Sequence, residues 1–575
     1  MASRSLASWL YTDANSDIDQ HYRNVMREQD KAPEALDKAK PRFTLVVGPS
    51  PFSMPRGWEF FLTSPYEGAT YISTVLVNAG YPVRIIDVRY SVDPRGEALR
   101  GILEGTDVLG VCTFEDNFPF VRELMADVKR AAPDMPIICG GSLVTSVPHI
   151  FMEHTDCDVA VISEGEITIL QVMELYSAGL WGLDNTDELE QVRGVWYRDA
   201  EGKAVHTPPR GQLMDLDCLP KMRLDLWPQY HSAQGLQPQI ISSYSRGCKM
   251  DCSFCYRTTP MERAKSPEKL DEELGWLKEQ YGTEFIFFVD LTFTSHKKQT
   301  LGILDAIKPH DLRWTCLTRC ADVDEERLTA MKDAGADIVL YGVESLGKDI
   351  LKEARKGNTE NITLRAQRRT YEAGLRFGGL LIVGLPGETE ESMEHMCQWQ
   401  EENRDLTRVK YLSAMPGTTV YSDGLAKGYL KGEVEHLNWL SIEQALHQDE
   451  FINYNGLAEE KLRNCYKRLY DCYTPGPVMD FKHWPEHFTY HDPNPHEGND
   501  AAVEYAQQYN CPDKWRAGFA SASPYMIPGS DRFTLKRIGA PDSQVVGGAS
   551  SSWAEAKRLS CMEAANAMVT VAQAK

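Results

Sequence analysis

IISSYSRGCKMDCSFCYRT, residues 240–258, decides how the rest of the chain is read. IISSYS (240–245) is predicted as a short buried strand. The loop after it carries Cys248, Cys252 and Cys255, spaced C-x₃-C-x₂-C. Three thiolates on one short loop can hold three irons of a [4Fe–4S] cluster and leave the fourth open to a substrate or cofactor. A structural zinc site wants a fourth Cys or His close by. None lies within the ten residues after Cys255, and the nearest upstream histidine is His231. Zinc, or chance spacing, stays as the competing reading at this point. Two features weigh against it: the loop follows a strand's carboxyl end, and an aromatic, Phe254, directly precedes the last cysteine, where it can stack on an adenine ring.

Downstream, EFIFFVD (284–290), RWTCLTR (313–319), DIVLYGVE (337–344) and FGGLLIVGLPG (377–387) read as further strands. Helical stretches such as SPEKLDEELGWLKEQYG and DEERLTAMKDAG separate them. Repeated βα units of this kind predict a TIM-like barrel, complete or partial, with function at the carboxyl ends of its strands. Upstream, FTLVVG (43–48), VRIIDV (83–88), DVLGVCTF (107–114), PIICGG (136–141) and VAVISEGE (159–166) carry the strand pattern. They alternate with helical EGATYISTVLVNAG (67–80) and NFPFVRELMADVKRAA (117–132). That alternation predicts an α/β, Rossmann-like, doubly wound parallel sheet with both faces covered. Ligands of such sheets sit at the carboxyl ends of the strands. The loops there, GPSPFSMP, TFEDN, GGSLVTS and SEGE, are crowded with Gly and Ser, which lets backbone N–H groups approach a bulky, phosphate-bearing ligand.

Between the two regions, VRGVWYRDAEGKAVHTPP reads as a hairpin turning near Asp199–Gly202, followed by the Pro-punctuated DLDCLPKMRLDLWP. Past residue 450 the strand pattern fades into aromatics and prolines, and a helix, SSWAEAKRLSCMEAANAMVTVAQ, closes the chain. The expected organisation is an extension (1–40), the sheet domain (41–185), a connector (186–235), the barrel (236–450) and a mixed, mainly helical capping domain (451–575). At roughly 150 residues per domain, 575 residues make three or four domains. With 61 basic against 83 acidic side chains, the net charge of −22 argues against nucleic acid as main partner. No apolar run reaches membrane-spanning length and no signal-type segment opens the chain. A cytoplasmic protein without a membrane partner is expected. Fourteen cysteines are too sparse for a disulfide scaffold.

The cysteine loop resembles the hallmark of the radical S-adenosylmethionine (SAM) enzymes, C-x₃-C-x-aromatic-C. FFVDLTFTS, LTRCADVDEERLTAMKDAGAD, YGVES and LIVGLPGETEES are similar to segments of that superfamily's partial barrel. The sheet region resembles the cobalamin-binding domain fused to one large branch. There Pro65-Tyr66-Glu67-Gly68 stands for a PLG-like segment opening the first helix, and ICGGSLVTSVPHIF and ISEGE match later loops. The likeness runs, in the branch's order, over about residues 41–400.

The resemblance implies that Cys248, Cys252 and Cys255 ligate the cluster. The amino and carboxylate groups of SAM would chelate the open iron, and reduction would release a 5′-deoxyadenosyl radical. Phe254 would contact the adenine. Arg319 and Glu344 stand where polar side chains face SAM, although a surface ion pair and a strand-end cap explain them almost as well. Asp290 ends a strand in the same way, more weakly. The GLPGE loop, Gly384–Glu388, shapes the adenine wall or is only a turn. Several members of the branch carry Asp-x-His-x-x-Gly after the first strand, its histidine binding cobalt from below. This chain has GPSPFSMPRG, without histidine. Cobalamin would then be held through its corrin amides and nucleotide tail by Ser50, Gly140, Gly141, Ser142 and the loop Glu164, Gly165, Glu166. Alternatively the glycines serve tight turns, or the domain is empty.

Taken together, the resemblance implies a cobalamin-dependent radical SAM methyltransferase. It would methylate an unactivated carbon, or a phosphinate phosphorus, of a small biosynthetic substrate via the deoxyadenosyl radical and methylcobalamin. Rearrangement, cyclisation or oxygen insertion is the alternative outcome. An external electron donor such as flavodoxin or ferredoxin is expected. Other groups carry less. Cys465 and Cys472, with Cys511 and Cys561, suit buried free thiols better than a second cluster. His483, His487, His491 and His496 lie in a Pro/Asp-rich loop without helical pairing. No G-x-G-x-x-G follows the first strand, so a dinucleotide site is not expected.

Overall fold

The computed structural model describes residues 17–27, 37, 39–49, 64–89, 91, 93–182, 185–228, 239–403, 406–443, 450–472, 488–490 and 535–537. Ser50, the four histidines between 483 and 496, Cys511, Cys561 and the closing helix lie outside them.

Five apolar runs build the first sheet: β1 (Phe43–Val47), β2 (Val83–Asp87), β3 (Val108–Thr113), β4 (Ile137–Gly141) and β5 (Val159–Val161). They pair in parallel in the order β2-β1-β3-β4-β5. Every residue of β1 and β5 is buried, as a parallel sheet covered on both faces requires. Chain direction reverses across the sheet between β1 and β3, the switch point where such folds open a crevice at the strand ends. The connector hairpin forms as β6 (Val195–Arg198) and β7 (Ala204–His206), turning through Asp199–Gly202. It does not stand apart from the sheet: β6 pairs antiparallel with β5 and extends the sheet to seven strands.

The GGSLVTS segment is no open loop. Gly141, with φ of +126°, turns the chain straight into a short helix, Ser142–Ser146. A Cβ there would lie 2.3 Å from the Thr113 carbonyl oxygen, so only glycine lets β4 end against β3.

The second sheet has six parallel strands in the order β15-β14-β13-β12-β11-β8. They are β8 (Gln239–Ser242), β11 (Phe285–Phe288), β12 (Arg313–Thr318), β13 (Ala336–Glu344), β14 (Arg376–Val383) and β15 (Leu406–Tyr411). It curls into a partial barrel. Its sixth strand, LTRVKY, is absent from the sequence reading. The core packs Phe288, Phe293 and Trp314 with ring centroids 5.0–5.6 Å apart, and the Trp314 indole N–H donates to Ala334 O at 2.7 Å.

The two domains interlock. Leu437 and Leu440, on the helix Glu433–Glu443 that follows the barrel, are buried in the core of the first sheet beside Val121 and Leu124. The helix Glu459–Tyr470 packs on the helix Glu390–Asn403, where Cys465 meets Cys397 with sulfurs 3.4 Å apart. Cys472 turns back on its own helix, its thiol donating to Arg468 O at 3.3 Å. No helix among the described residues is long and apolar enough to cross a membrane.

Candidate functional site

The cysteine loop starts and ends on a two-stranded ladder, β9 (Ser245–Arg246) against β10 (Arg263–Ala264). Gly247 breaks the chain away from β9 with φ of +87°, and a Cβ there would stand 1.9 Å from the Met261 carbonyl oxygen. Gly247→Ala is therefore expected to cost about 2 kcal/mol or more and to displace the loop. Iron and sulfide analysis after anaerobic reconstitution reads this directly. A variant holding the wild-type complement would refute it.

Beyond Gly247 the loop is pinned to the barrel. Ser253 N donates to Ala354 O (3.0 Å), and Val420 N donates to Ser253 O (3.1 Å). Cys248 Sγ accepts from Met250 N at 3.5 Å and lies 3.8 Å from Thr292 Oγ1, while Cys252 reaches Arg355 O (3.8 Å) and Cys255 reaches Tyr256 O (3.7 Å). Burial pushes the Cys252 thiol up and that of Cys255 to about 12, while the Lys356 ammonium pulls both back. Thiols so placed keep their protons until metal displaces them. Among the described residues no three His, Cys, Asp or Glu side chains gather tightly enough for one metal ion. Cluster ligation gives each thiolate its own iron and needs no such convergence. The donor set fits a cluster.

Around the loop stand the other barrel candidates. Glu344 ends β13 with φ of +65° at a register shift, a strained backbone for a non-glycine residue. Its carboxylate is ion-paired with Lys356 at 2.7 Å. Lys356 lies 5.9 Å from the centre of the Phe254 ring. Phe254 itself packs on the apolar cluster of Ile350, Leu385 and Leu412. Arg319 pairs with Asp322 (2.9 Å) and donates to Lys356 O (3.3 Å), but its buried Nε has no hydrogen-bond partner. Cys252, Phe254, Arg319, Glu344 and Lys356 thus come together. The sequence reading missed Lys356 because nothing local marks it.

Asp290 and Glu388 have structural work. Asp290 Oδ1 accepts from Ser245 N at 2.6 Å and from the Ser245 hydroxyl, fastening β9 to the end of β11. Burial pushes its carboxyl up to about 7. Glu388 accepts from Gly384 N and closes the GLPGE turn on itself. Burial raises its carboxyl to about 8.

The strand-end loops of the first sheet face the cysteine loop. Tyr256, next after Cys255, donates its hydroxyl to Ser142 O and accepts from the Ser146 hydroxyl at 2.8 Å. Gly140 has open space where a Cβ would be. The Glu164–Glu166 loop is engaged from the other side. Glu164 pairs with Arg246 (3.0 Å) and Arg263 (2.7 Å), and Glu166 with Arg246 (2.6 Å). At the head of the helix Glu67–Asn78, Glu67 accepts from Ser243 N (3.1 Å) and the Ser243 hydroxyl (2.8 Å) at the end of β8. Lys265 joins Glu273 (2.6 Å), Tyr71 Oη (3.0 Å) and Ser243 O (3.0 Å) behind it. Both sets of strand ends converge on one junction sealed by buried charge.

Residues 242–399 match the model of the radical SAM superfamily, and residues 63–173 that of the B12 binding domain. The chain is 27% identical over 435 residues to an uncharacterized methyltransferase of Pyrococcus horikoshii, covering 74% of this chain and 91% of that protein. It is 25% identical to the anaerobic magnesium-protoporphyrin IX monomethyl ester cyclase of Rubrivivax gelatinosus, over 55% of this chain and 58% of the other. Among solved structures, the radical SAM methyltransferase TsrM of Kitasatospora setae, with cobalamin and a [4Fe–4S] cluster bound, superposes with a TM-score of 0.57. The identity is 17%, over 76% of this chain and 89% of that one.

Proposed function

We propose that this chain, a radical SAM enzyme with a B12-binding domain ahead of its barrel, is a cobalamin-dependent methyltransferase acting on an unactivated carbon or phosphinate phosphorus of a small biosynthetic molecule. One observation carries the reading. The residue after the last cluster cysteine, Tyr256, is hydrogen-bonded to the strand-end segment of the sheet domain at Ser142 and Ser146, which supports two cofactor sites facing each other. When bound, the cluster and SAM supply a 5′-deoxyadenosyl radical and the corrin supplies the methyl carrier.

The chain's own residues bind and place these groups. Cys248, Cys252 and Cys255 hold the cluster. Lys356, Glu344 and the free Nε of Arg319 offer charge and hydrogen bonds to the polar end of SAM, with Phe254 beside its adenine. Gly140, Gly141 and Ser142, with Ser50 and the backbone of Glu164–Glu166, support the corrin. The buried ion pairs exclude water from the junction. The one-electron reductant comes from outside, from a flavodoxin- or ferredoxin-type donor.

The cyclase relative favours the second reading, a radical reaction without methyl transfer. The methyltransferase relative matches along 91% of its length and the cyclase along 58%, which supports the first. Turnover with methyl-deuterated SAM and a metabolite extract separates them. Methyl transfer yields labelled product with both S-adenosylhomocysteine and 5′-deoxyadenosine. Deoxyadenosine with an unlabelled product sinks the methyltransferase reading.

A further inference from the structure

Glu115 lies in the turn after β3, at the open end of the first sheet, and has no part in the contacts described so far. It is 4% exposed. Its Oε2 accepts from the Ser142 hydroxyl at 2.8 Å, and its Oε1 is buried without a hydrogen-bond partner. The titratable groups facing it are Asp116 from its own turn and Tyr256 from the cysteine loop, whose hydroxyl is within hydrogen-bonding reach of the carboxyl; neither is a cation. A buried acceptor left unmet in the protein marks a place where a ligand supplies the donor. Through Ser142, Glu115 joins the turn after β3 to the end of β4, where two strand ends meet. The rim of a corrin carries primary amides, whose N–H groups suit a lone carboxyl oxygen.

We propose that Glu115 is a corrin-binding residue whose Oε1 accepts a hydrogen bond from a rim amide, with Ser142 holding the other oxygen in place. This rests on the reading of the sheet domain as a cobalamin site. Burial pushes the Glu115 carboxyl up to about 7. The ionised carboxyl is the stronger acceptor, so corrin affinity rises with pH up to about 7 and then levels. Binding releases protons below that point.

The test is a spectroscopic titration of the anaerobically purified full chain with hydroxocobalamin and with cobinamide, which keeps the rim amides and lacks the nucleotide tail. Glu115→Ala should weaken both about tenfold. Glu115→Gln, which keeps a neutral oxygen acceptor, should hold both near the wild-type affinity at low pH and abolish the pH dependence. Matching unfolding midpoints for wild type and Glu115→Gln show that the fold is intact. Equal affinities for wild type and Glu115→Ala overturn the proposal while leaving the cobalamin site standing. So does a loss confined to cobalamin, which would place the contact on the tail. A wild-type chain that binds neither corrin overturns the cobalamin reading itself, and this proposal with it.

Discussion

Cys252→Ala abolishes 5′-deoxyadenosine formation, lowering it on the order of a thousandfold to background, and leaves corrin affinity within about twofold. The asymmetry follows from where each cysteine faces. Cys252 is turned to the barrel: its sulfur lies 3.8 Å from Arg355 O, and its charged neighbours are Lys356, Glu344 and Arg319. These side-chain neighbours all belong to the barrel. Cys255 is different, because Tyr256 follows it and grips Ser142 and Ser146. A substitution at Cys255 would disturb both sites, so Cys252 is the clean probe. With two thiolates left, the loop cannot hold three irons. The measurements are iron content, deoxyadenosine yield under strong reductant, and corrin titration. A variant that cleaves SAM at the wild-type rate would remove the cluster assignment, and with it the radical chemistry.

Strands buried on both faces write themselves into a sequence as continuous apolar runs. FTLVV, VLGVCT, IICGG and FIFF were therefore legible with nearly their true ends. LTRVKY was not, because Arg408 and Lys410 interrupt the run on the outermost strand of the second sheet, where one edge has no neighbour among the described strands. The hairpin 195–206 was legible from its turn, but its pairing on β5 was not, since a local pattern names no partner. The same distinction divides the site. Three cysteines within eight residues are a local motif and announce themselves. Glu164 and Glu166 read as strand-end loop residues because their partners, Arg246 and Arg263, lie 80 to 99 residues away. Lys356 gains meaning only when the barrel strands bring Glu344 and Arg319 to it, Glu115 when β3 and β4 end side by side, and Tyr256 when the barrel meets the sheet; no spacing rule could have found them. Glu344 is the intermediate case: its place at a strand end was readable, its left-handed backbone and its lysine partner were not.

The domain junction gives the second large effect. Arg246 faces Glu164 and Glu166 together, and both carboxylates are more than nine-tenths buried. Burial alone would raise the Glu164 carboxyl, but Arg246 and Arg263 outweigh it and hold the group below its ordinary value. A carboxyl depressed in the folded state lends stability that is present above its unfolded pKa and lost as pH falls through the folded one. Arg246→Met removes the shared cation and leaves two buried carboxylates with Arg263 alone. The expected loss is about 3–5 kcal/mol near neutral pH. The deficit should shrink toward about pH 4, because the stranded Glu164 carboxyl of the variant can take up a proton there instead of staying buried as an unpaired charge. Urea unfolding of wild type and variant at the two pH values measures both the size and the sign. Arg246→Met combined with Glu166→Gln should recover part of the loss, because one stranded charge is gone. Cluster content should fall alongside stability, since Arg246 sits on β9 two residues before Cys248 and sets the base of its loop. A deficit under about 1 kcal/mol, or one that does not change with pH, would mean that the ion pairs are surface-like in strength. The two cofactor sites would then have to be held face to face by the hydrogen bonds of Tyr256 and Glu67 and by apolar packing through Leu437 and Leu440.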